Sequence, residues 1–232
     1  MVALVTGANR GIGLATARAL RESGHVVVAG TRSGTAPDGL TAVAMDVTST
    51  ESVDKAFDQV EAEHGAIDVL VANAGITRDG LILRMSDDDI DDVLQTNLVG
   101  ALRCARRAAK GMVRARRGRI ILVSSVVWAL GSAGQVNYAA AKAGLVGAAR
   151  SLSRELGGRG ITCNVVAPGF VETEMTEVLE ESHREAIRGQ IPLGRYATPD
   201  EIAAVIDFLA GDAAAYITGA VVPVDGGLGM GH

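Results

Sequence analysis

Seven short runs of apolar and β-branched residues recur along the 232-residue chain, and longer helix-like stretches separate them. In chain order the runs are VALVT, HVVVAG, LTAVAM, IDVLVAN, RIILVS, ITCNVVAP and AVVPVD. Strands that are buried on both faces give such nearly continuous apolar runs, whereas strands with one wet face alternate. The pattern therefore predicts a parallel sheet of seven strands joined by helical crossovers.

Five stretches between these runs are predicted to be helical, and capping sequences such as STES and TPDE stand at the start of some of them. The predicted helical segments are 11–23, 49–64, 86–116, 136–158 and 199–211. Alternating strands and helices predict a doubly wound α/β sheet of the Rossmann type, with helices on both faces. Because no linker or repeat divides the chain, we expect one domain over 1–232, with the strand-free segment 168–198 as a flap.

Composition and charge exclude several classes of protein. A net charge of -5 and an aromatic content of 3% argue against nucleic-acid binding, because such proteins use basic surfaces and stacking platforms. No apolar run reaches the roughly 18 residues of a membrane span, so we expect a soluble, cytoplasmic protein. Cys104 and Cys163 lack the spacing of metal ligands, so we expect buried thiols and no metal site.

The segment VALVTGANRGIGLATARAL predicts a strand, a glycine-rich turn and a helix. Gly7, Gly11 and Gly13 allow a tight turn and bring backbone N–H groups close to a pyrophosphate at the helix N-terminus. Glycines alone are weak evidence, but their place between the first strand and the first helix indicates a nucleotide site. Their spacing differs from GxGxxG, and the turn lacks the lysine of a P-loop.

The end of the second apolar run bears on the choice of dinucleotide. Thr31 and Arg32 directly follow this run, at the position where an NAD enzyme usually presents a carboxylate to the ribose 2′-hydroxyl. A guanidinium binds a 2′-phosphate, and Arg10 in the glycine loop can approach the same group, so the sequence favours NADP(H). The alternative is that Arg32 is only a solvated residue at a strand end.

Candidate acid/base chemistry lies in the segment NYAAAKAG, where Tyr138 and Lys142 project from one helix face one turn apart. A tyrosine with a reference pKa of about 10 needs nearby positive charge to act at neutral pH. Ser125 lies at the end of the fifth predicted strand, directly after the run RIILVS, and its hydroxyl can bond a carbonyl oxygen that gains negative charge. Asn97 lies inside a helical segment, where asparagine is unfavourable without a specific reason. Each residue alone is more often structural, but their combination indicates an enzyme.

These motifs occur in the order typical of short-chain dehydrogenases/reductases, which the chain resembles over essentially its whole length. The segments GQVNYAAAKAGLVG, RGITCNVVAPGFVETEMT and ITGAVVPVDGGLGMGH resemble those of 3-oxoacyl-[acyl-carrier-protein] reductases. The terminal GMGH is similar to that of the actinobacterial long-chain-elongation subgroup. The resemblance implies NADPH-dependent reduction of carrier-bound 3-oxoacyl groups in fatty-acid synthesis.

The resemblance also implies a role for each site residue. Tyr138 would protonate the forming alkoxide, Ser125 would orient the carbonyl, and Lys142 would lower the tyrosine pKa and hold the ribose. Asn97 would support a water chain that returns the proton. The implied cofactor-binding residues are Gly7, Asn9, Arg10, Gly11, Ile12, Gly13, Thr31, Arg32, Asp46, Val47, Asn73, Ala74, Gly75, Tyr138, Lys142, Pro168, Gly169, Val171 and Thr173.

Partner and substrate predictions depend on the same resemblance. Arg116 and Arg159 match positions that dock the acidic carrier protein, although a basic stretch such as VRARRGR is more usually a solvated helix end. The resemblance implies a homotetramer. Trp128 stands where the family usually has glycine, so it either reshapes the acyl channel or packs beneath a loop. Other ketones, secondary alcohols, acetoacetyl-CoA or polyketides stay open as substrates, as does a catalytically silent NADP-binding scaffold.

Overall fold

Seven parallel strands form one sheet within residues 1–173 and 181–230, the part of the chain that the computed structural model describes. The strands are β1 (Val2–Thr6), β2 (Val26–Thr31), β3 (Thr41–Ala44), β4 (Ile67–Ala72), β5 (Gly118–Val123), β6 (Ile161–Pro168) and β7 (Val221–Val224). Their order across the sheet is β3-β2-β1-β4-β5-β6-β7. Each predicted apolar run forms a strand, and the expected doubly wound α/β fold is confirmed.

Helices connect the strands and cover both faces of the sheet. Those in the described ranges are α1 (Gly11–Glu22), α2 (Thr50–His64), α3 (Asp87–Leu94), α4 (Gly100–Ala115), α5 (Val127–Leu130), α6 (Val136–Leu156), α7 (Glu181–Arg188) and α8 (Pro199–Ala210). The segment predicted as one helix over 86–116 contains a π-helical turn, Gln95–Val99, between α3 and α4. The sequence did not predict α5, because four residues are too few to show a helical period. No described helix is long and apolar enough to cross a membrane.

The strands bury side chains on both faces, which explains why their apolar runs are continuous. Leu4 packs in the cluster that includes residues of α2, α4 and α6, whereas its neighbour Val5 packs in the cluster that includes residues of α1 and α8. Cys104 and Cys163 lie in the first cluster as buried free thiols, as expected, and burial raises the pKa of each to about 12.

Side-chain caps start α3 and α8, and the sequence TPDE predicted the cap of α8. The Ser86 hydroxyl accepts a hydrogen bond from the Asp89 N–H at 3.1 Å, and the Asp89 carboxylate accepts one from the Ser86 N–H at 3.2 Å. Thr198 and Glu201 form the same reciprocal box at the start of α8. The acidic run SDDDIDD is therefore a capped helix start. Within the described residues, no His, Cys, Asp and Glu side chains cluster as metal ligands do.

Candidate active site

The glycine turn lies between β1 and α1, at the carboxyl edge of the sheet. Gly7 has a φ of +66°, a region that side chains disfavour. A Cβ on Gly13 would lie 2.3 Å from the carbonyl oxygen of Gly7 and 2.5 Å from Nδ2 of Asn73. The turn is therefore too tight for a side chain at either position. Strand order reverses here, beside β1 and β4, which is where such sheets bind ligands.

Residues after β4 brace this turn. The Thr6 hydroxyl accepts hydrogen bonds from the N–H groups of Asn73 and Ala74, both at 3.0 Å. The Asn73 side-chain amide donates in turn to the carbonyl oxygens of Thr6 at 3.0 Å and Gly7 at 3.3 Å. The segment 73–75, identified from the sequence, thus holds the glycine turn in shape.

The arrangement fits a dinucleotide. The first turn of α1 carries no acidic residue, so the N–H groups at the start of this helix favour a phosphate. Arg10 is exposed at the N-cap of this helix. At the end of β2, Thr31 is buried and its hydroxyl donates to the carbonyl oxygen of Thr35 at 2.9 Å, while Arg32 is exposed. The edge therefore offers guanidinium groups and no carboxylate at the end of β2.

The structure places the remaining predicted cofactor contacts around the same edge. Two hydrogen bonds from Thr48 and the nearby Arg32 guanidinium lower the pKa of the Asp46 carboxyl. Val47 is buried, and its side chain fills the space beside Gly100. A Cβ on Gly11 would lie 3.4 Å from Thr173 Cγ2, so the chain after β6 reaches the glycine turn. The other predicted contacts near this edge are Asn9, Ile12, Pro168, Gly169 and Val171.

Asn97 lies in the π-helical turn and is 1% exposed. Its side-chain oxygen accepts from the N–H of Ile76 at 2.8 Å, and its side-chain amide donates to the carbonyl oxygen of Ile76 at 2.9 Å. A Cβ on the neighbouring Gly75 would lie 3.3 Å from Asn97 Oδ1 and 3.6 Å from Lys142 Nζ. Asn97 and Lys142 therefore converge on the backbone of Gly75, and this contact supplies the reason for a buried asparagine in a helix.

Lys142 is a buried amine in the middle of the site, with an exposed fraction of 4%. Its Nζ donates a hydrogen bond of 2.8 Å to the carbonyl oxygen of Val123, at the end of β5. The Ser124 hydroxyl donates to the carbonyl oxygen of Lys142 at 2.9 Å, so two bonds join the strand to the helix. Burial lowers the pKa of Lys142 to about 8.

Tyr138 faces the same crevice and is partly exposed. Burial of its hydroxyl raises its pKa to about 12; a hydrogen bond from Ser125 opposes this rise, and the charge of Asp79 adds to it. The Lys142 Nζ lies 5.4 Å from the centroid of the tyrosine ring. The structure thus brings Ser125, Tyr138 and Lys142 together at the end of β5, with Asn97 beside them.

Arg116 and Arg159 lie away from this group, at the amino-terminal edge of the sheet. Arg116 ends α4 just before β5, and Arg159 precedes β6. They are close to each other, because Arg116 Nη2 is 3.5 Å from the carbonyl oxygen of Gly158. Both are exposed, whereas Arg117 in the same basic stretch bonds the Asp68 carboxylate at 2.8 Å.

Trp128 and the predicted flap lie on the rim of the site. Trp128 is in α5, partly buried, and packs against the core cluster that contains residues of α2, α4 and α6. Within the predicted flap, 168–198, the structure describes α7 and a bridge between Val171 and Ala197. Residues 174–180 of that segment lie outside the described residues.

One group of contacts at the rim has no signature among the sequence motifs. Residues 78–80, in the loop after β4, bond residues 134–137, at the start of the helix that carries Tyr138. Short motifs cannot reveal such a pair, because more than fifty residues separate its two halves. Polar residues in both segments, among them Asp79 and Gln135, were the signal available.

Known proteins match this chain over nearly its whole length. Residues 7–229 match a family model described as Enoyl-(Acyl carrier protein) reductase. The 3-oxoacyl-[acyl-carrier-protein] reductase MabA of Mycobacterium avium is 50% identical over 231 residues, which cover 99% of this chain and 90% of that protein. The 3-oxoacyl-[acyl-carrier-protein] reductase FabG of Pseudomonas aeruginosa is 50% identical over 240 residues, covering 99% and 97%. FabG of Escherichia coli is 45% identical with the same coverage.

Proposed function

The chain belongs to the 3-oxoacyl-[acyl-carrier-protein] reductases of the short-chain dehydrogenase/reductase superfamily, and we propose on this premise that it reduces 3-oxoacyl-[acyl-carrier-protein] to the 3-hydroxyacyl product. The observation that carries the proposal is the placement of Lys142 Nζ 5.4 Å from the ring of Tyr138, beside Ser125. A buried ammonium next to a phenol is suited to proton transfer to an oxygen that gains charge. The reaction would serve fatty-acid synthesis or elongation.

The family uses a nicotinamide cofactor, and we propose NADP(H) for this chain. The glycine turn and the N-terminus of α1 would hold the pyrophosphate, and Arg32 with Arg10 would bind the 2′-phosphate. Gly75, between Asn97 and Lys142, leaves room at the carboxyl end of β4. The bound cofactor supplies the reducing equivalents for the 3-oxo carbon.

The protonation states of the site suit a reductase. At neutral pH a tyrosine with a pKa of about 12 retains its proton, and a lysine with a pKa of about 8 is mostly charged. Ser125 would donate a hydrogen bond to the substrate carbonyl, and Tyr138 would transfer its proton to the alkoxide oxygen. The Lys142 ammonium would then stabilise the phenolate that Tyr138 becomes. Asn97 would keep the loop at Ile76 in place and support the water chain that returns the proton.

Delivery of the substrate involves the other edge of the sheet. We propose that Arg116 and Arg159 dock the acidic carrier protein. The six residues of β5 separate Arg116 from Ser125, a path of about 20 Å that the carrier-bound acyl group would have to span within one subunit. The homotetramer and the cytoplasmic location stay predictions, supported by the family likeness.

A steady-state assay tests the proposal. Purified protein is mixed with 3-oxoacyl thioesters of several chain lengths, each with NADPH and with NADH, and cofactor oxidation is followed. The matching 2-enoyl thioesters are included, because the family model's description names enoyl reduction. We expect turnover of the 3-oxo compounds with NADPH. Turnover of enoyl thioesters alone, or of unrelated ketones alone, would contradict the substrate assignment; cofactor binding without turnover would indicate a silent scaffold.

A further inference from the structure

A short tether joins the loop after β4 to the start of α6. The Gly80 N–H donates to the carbonyl oxygen of Gly134 at 2.8 Å. The side-chain amide of Gln135 donates to both carboxylate oxygens of Asp79, at 3.0 Å and 3.2 Å. The Asn137 side chain donates to the carbonyl oxygen of Arg78 at 3.1 Å. Three successive loop residues thus bond the segment 134–137, so the loop and the helix start form one unit.

The tether acts on the helical turn that carries the acid. Gln135 is the N-cap residue of α6; its side chain makes no capping hydrogen bond, and its amide nitrogen bonds Asp79 instead. Tyr138 is the third residue of this helix, and its N–H donates to Asn137 Oδ1 at 2.7 Å. The buried Asn137 also bonds the carbonyl oxygen of Asp89, on α3. The direction of the first turn of α6 therefore depends on the loop rather than on a local cap.

The tether also holds a negative charge on the helical turn that carries Tyr138, because Asp79 bonds Gln135, three residues before the tyrosine. Burial is the largest cause of the raised pKa of Tyr138, and the charge of Asp79 adds to it. Arg78, beside it in the loop, directs its guanidinium to Asp92 on α3 at 3.6 Å. From its own helix, Tyr138 faces Lys142, and from the segment after β5 it faces the uncharged Ser125. Gln135 holds the Asp79 carboxylate but is itself neutral, so it does not neutralise the negative charge of Asp79.

We propose that Asp79, held by Gln135, is a positioning residue for the reduction: it orients the first turn of α6 and adds to the effect of burial in favouring the neutral phenol of Tyr138 until the substrate alkoxide forms. This inference rests on the proposed function for its purpose. The structural effect on Tyr138 exists in the protein without cofactor or substrate. It can therefore be tested separately from turnover.

The test is carbon-13 NMR of the full chain labelled at the tyrosine ring carbon that bears the hydroxyl. Tyr138→Phe assigns the signal of Tyr138 among the three tyrosines. Asp79→Asn removes the charge and leaves an oxygen that can accept from Gln135. We expect the fraction of ionised Tyr138 at pH 11 to rise about twofold to threefold, because loss of the Asp79 charge lowers the pKa of the tyrosine. Asp79→Glu retains the charge and should stay near the wild type.

Asp91→Asn is the matched control, because it removes one exposed carboxylate from α3. Circular dichroism at pH 11 verifies that each variant is folded. An unchanged Tyr138 signal in Asp79→Asn, or an equal change in Asp91→Asn, would overturn the proposal. Gln135→Met should also raise the ionised fraction of Tyr138, but by less than Asp79→Asn does. The double variant Asp79→Asn/Gln135→Met should match Asp79→Asn alone. Additive changes would show that Gln135 does not act through Asp79.

Turnover provides a second measurement. When the 3-hydroxyacyl thioester is oxidised, Tyr138 accepts the proton, so the rise of kcat with pH should begin at lower pH in Asp79→Asn than in the wild type. KM should stay within about twofold, because Asp79 is not expected to touch the acyl group. A wild type without reductase activity would overturn the proposed function, and the NMR comparison would still decide whether Asp79 acts on Tyr138.

Discussion

The Lys142 Nζ lies 5.4 Å from the centroid of the Tyr138 ring, one turn away on α6. Burial moves both pKa values in the direction that disfavours charge, that of Tyr138 to about 12 and that of Lys142 to about 8. The two groups therefore start as a neutral phenol and, at neutral pH, an ammonium. When Tyr138 gives up its proton, the phenolate that forms supplies a negative charge beside the buried Lys142 ammonium.

Tyr138→Phe removes the proposed acid and retains the ring. Turnover should fall by about a hundredfold to ten-thousandfold, the usual contribution of a positioned general acid. NADPH affinity, measured by fluorescence titration, should stay within about threefold, because the glycine turn and Arg32 are untouched.

Tyr216→Phe is the matched control for this substitution. Tyr216 is fully exposed and follows the 3-10 turn Asp212–Ala214, close to β7. Its loss of a hydroxyl should leave turnover unchanged. Equal activity of Tyr138→Phe and the wild type would remove Tyr138 from the mechanism.

Lys142→Met tests how much the buried, charged amine of Lys142 lowers the free energy of unfolding. Below pH 8 the folded chain carries a buried charge that water would solvate better in the unfolded chain, whose lysine pKa is near 10.5. The variant should therefore be more stable at pH 7 by about 1 to 3 kcal/mol and nearly inactive. Between pH 8 and 10.5 the wild type loses this cost, so the gain should shrink. Urea unfolding at pH 7 and pH 9.5 measures it; a gain that grows with pH would contradict the assignment.

The strands and the glycine turn could be predicted because their signals are local. Burial on both faces makes each strand a continuous apolar run, and positive φ at Gly7 needs a residue without a side chain. The same holds for the capped start of α3, where Ser86 and Asp89 are three residues apart. Such features depend on a few neighbouring residues, and the sequence displays them directly.

Contacts between distant segments could not be predicted in the same way. In the π-helical turn, the Asn97 side chain bonds Ile76, twenty-one residues away. The bond between Asp79 and Gln135 spans fifty-six residues. Neither pair has a spacing that a helix or a hairpin would impose, so only the folded arrangement of β4, α3 and α6 reveals them.

Gly13→Ala should damage the dinucleotide site. Its Cβ would lie 2.3 Å from the carbonyl oxygen of Gly7, and backbone at this distance must shift. We expect a loss of about 2 kcal/mol or more in stability and at least about tenfold in NADPH affinity. Gly147→Ala is the control, since a Cβ there meets no described atom within 4 Å. Calorimetry and cofactor titration check both; tight NADPH binding by Gly13→Ala would argue against a pyrophosphate in this turn.

Arg32→Asp tests the choice of cofactor. A carboxylate at the end of β2 would repel a 2′-phosphate and could accept a hydrogen bond from a 2′-hydroxyl. The ratio of kcat/KM for NADPH to that for NADH should fall by at least about a hundredfold, as loss and reversal of one charged contact predicts. Arg21→Asp, at the exposed end of α1, should leave the ratio unchanged. Equal losses with both cofactors would refute the 2′-phosphate contact.

Charge reversal at the amino-terminal edge of the sheet separates docking from chemistry. Arg116 and Arg159 are exposed neighbours, and Ser125 lies at the opposite end of β5. If they dock an acidic carrier, Arg116→Glu and Arg159→Glu should raise KM for a carrier-protein thioester about tenfold, because a favourable charge contact becomes repulsive. KM for the same acyl group on coenzyme A should be unchanged. In the control Arg106→Glu, at an exposed residue of α4, the KM values for the carrier-protein thioester and for the coenzyme A thioester should both be unchanged.

Raised salt should weaken the wild type's preference for the carrier-bound substrate and have less effect on the variants. Equal increases of KM for both thioesters would mean that these arginines support the fold instead of the partner.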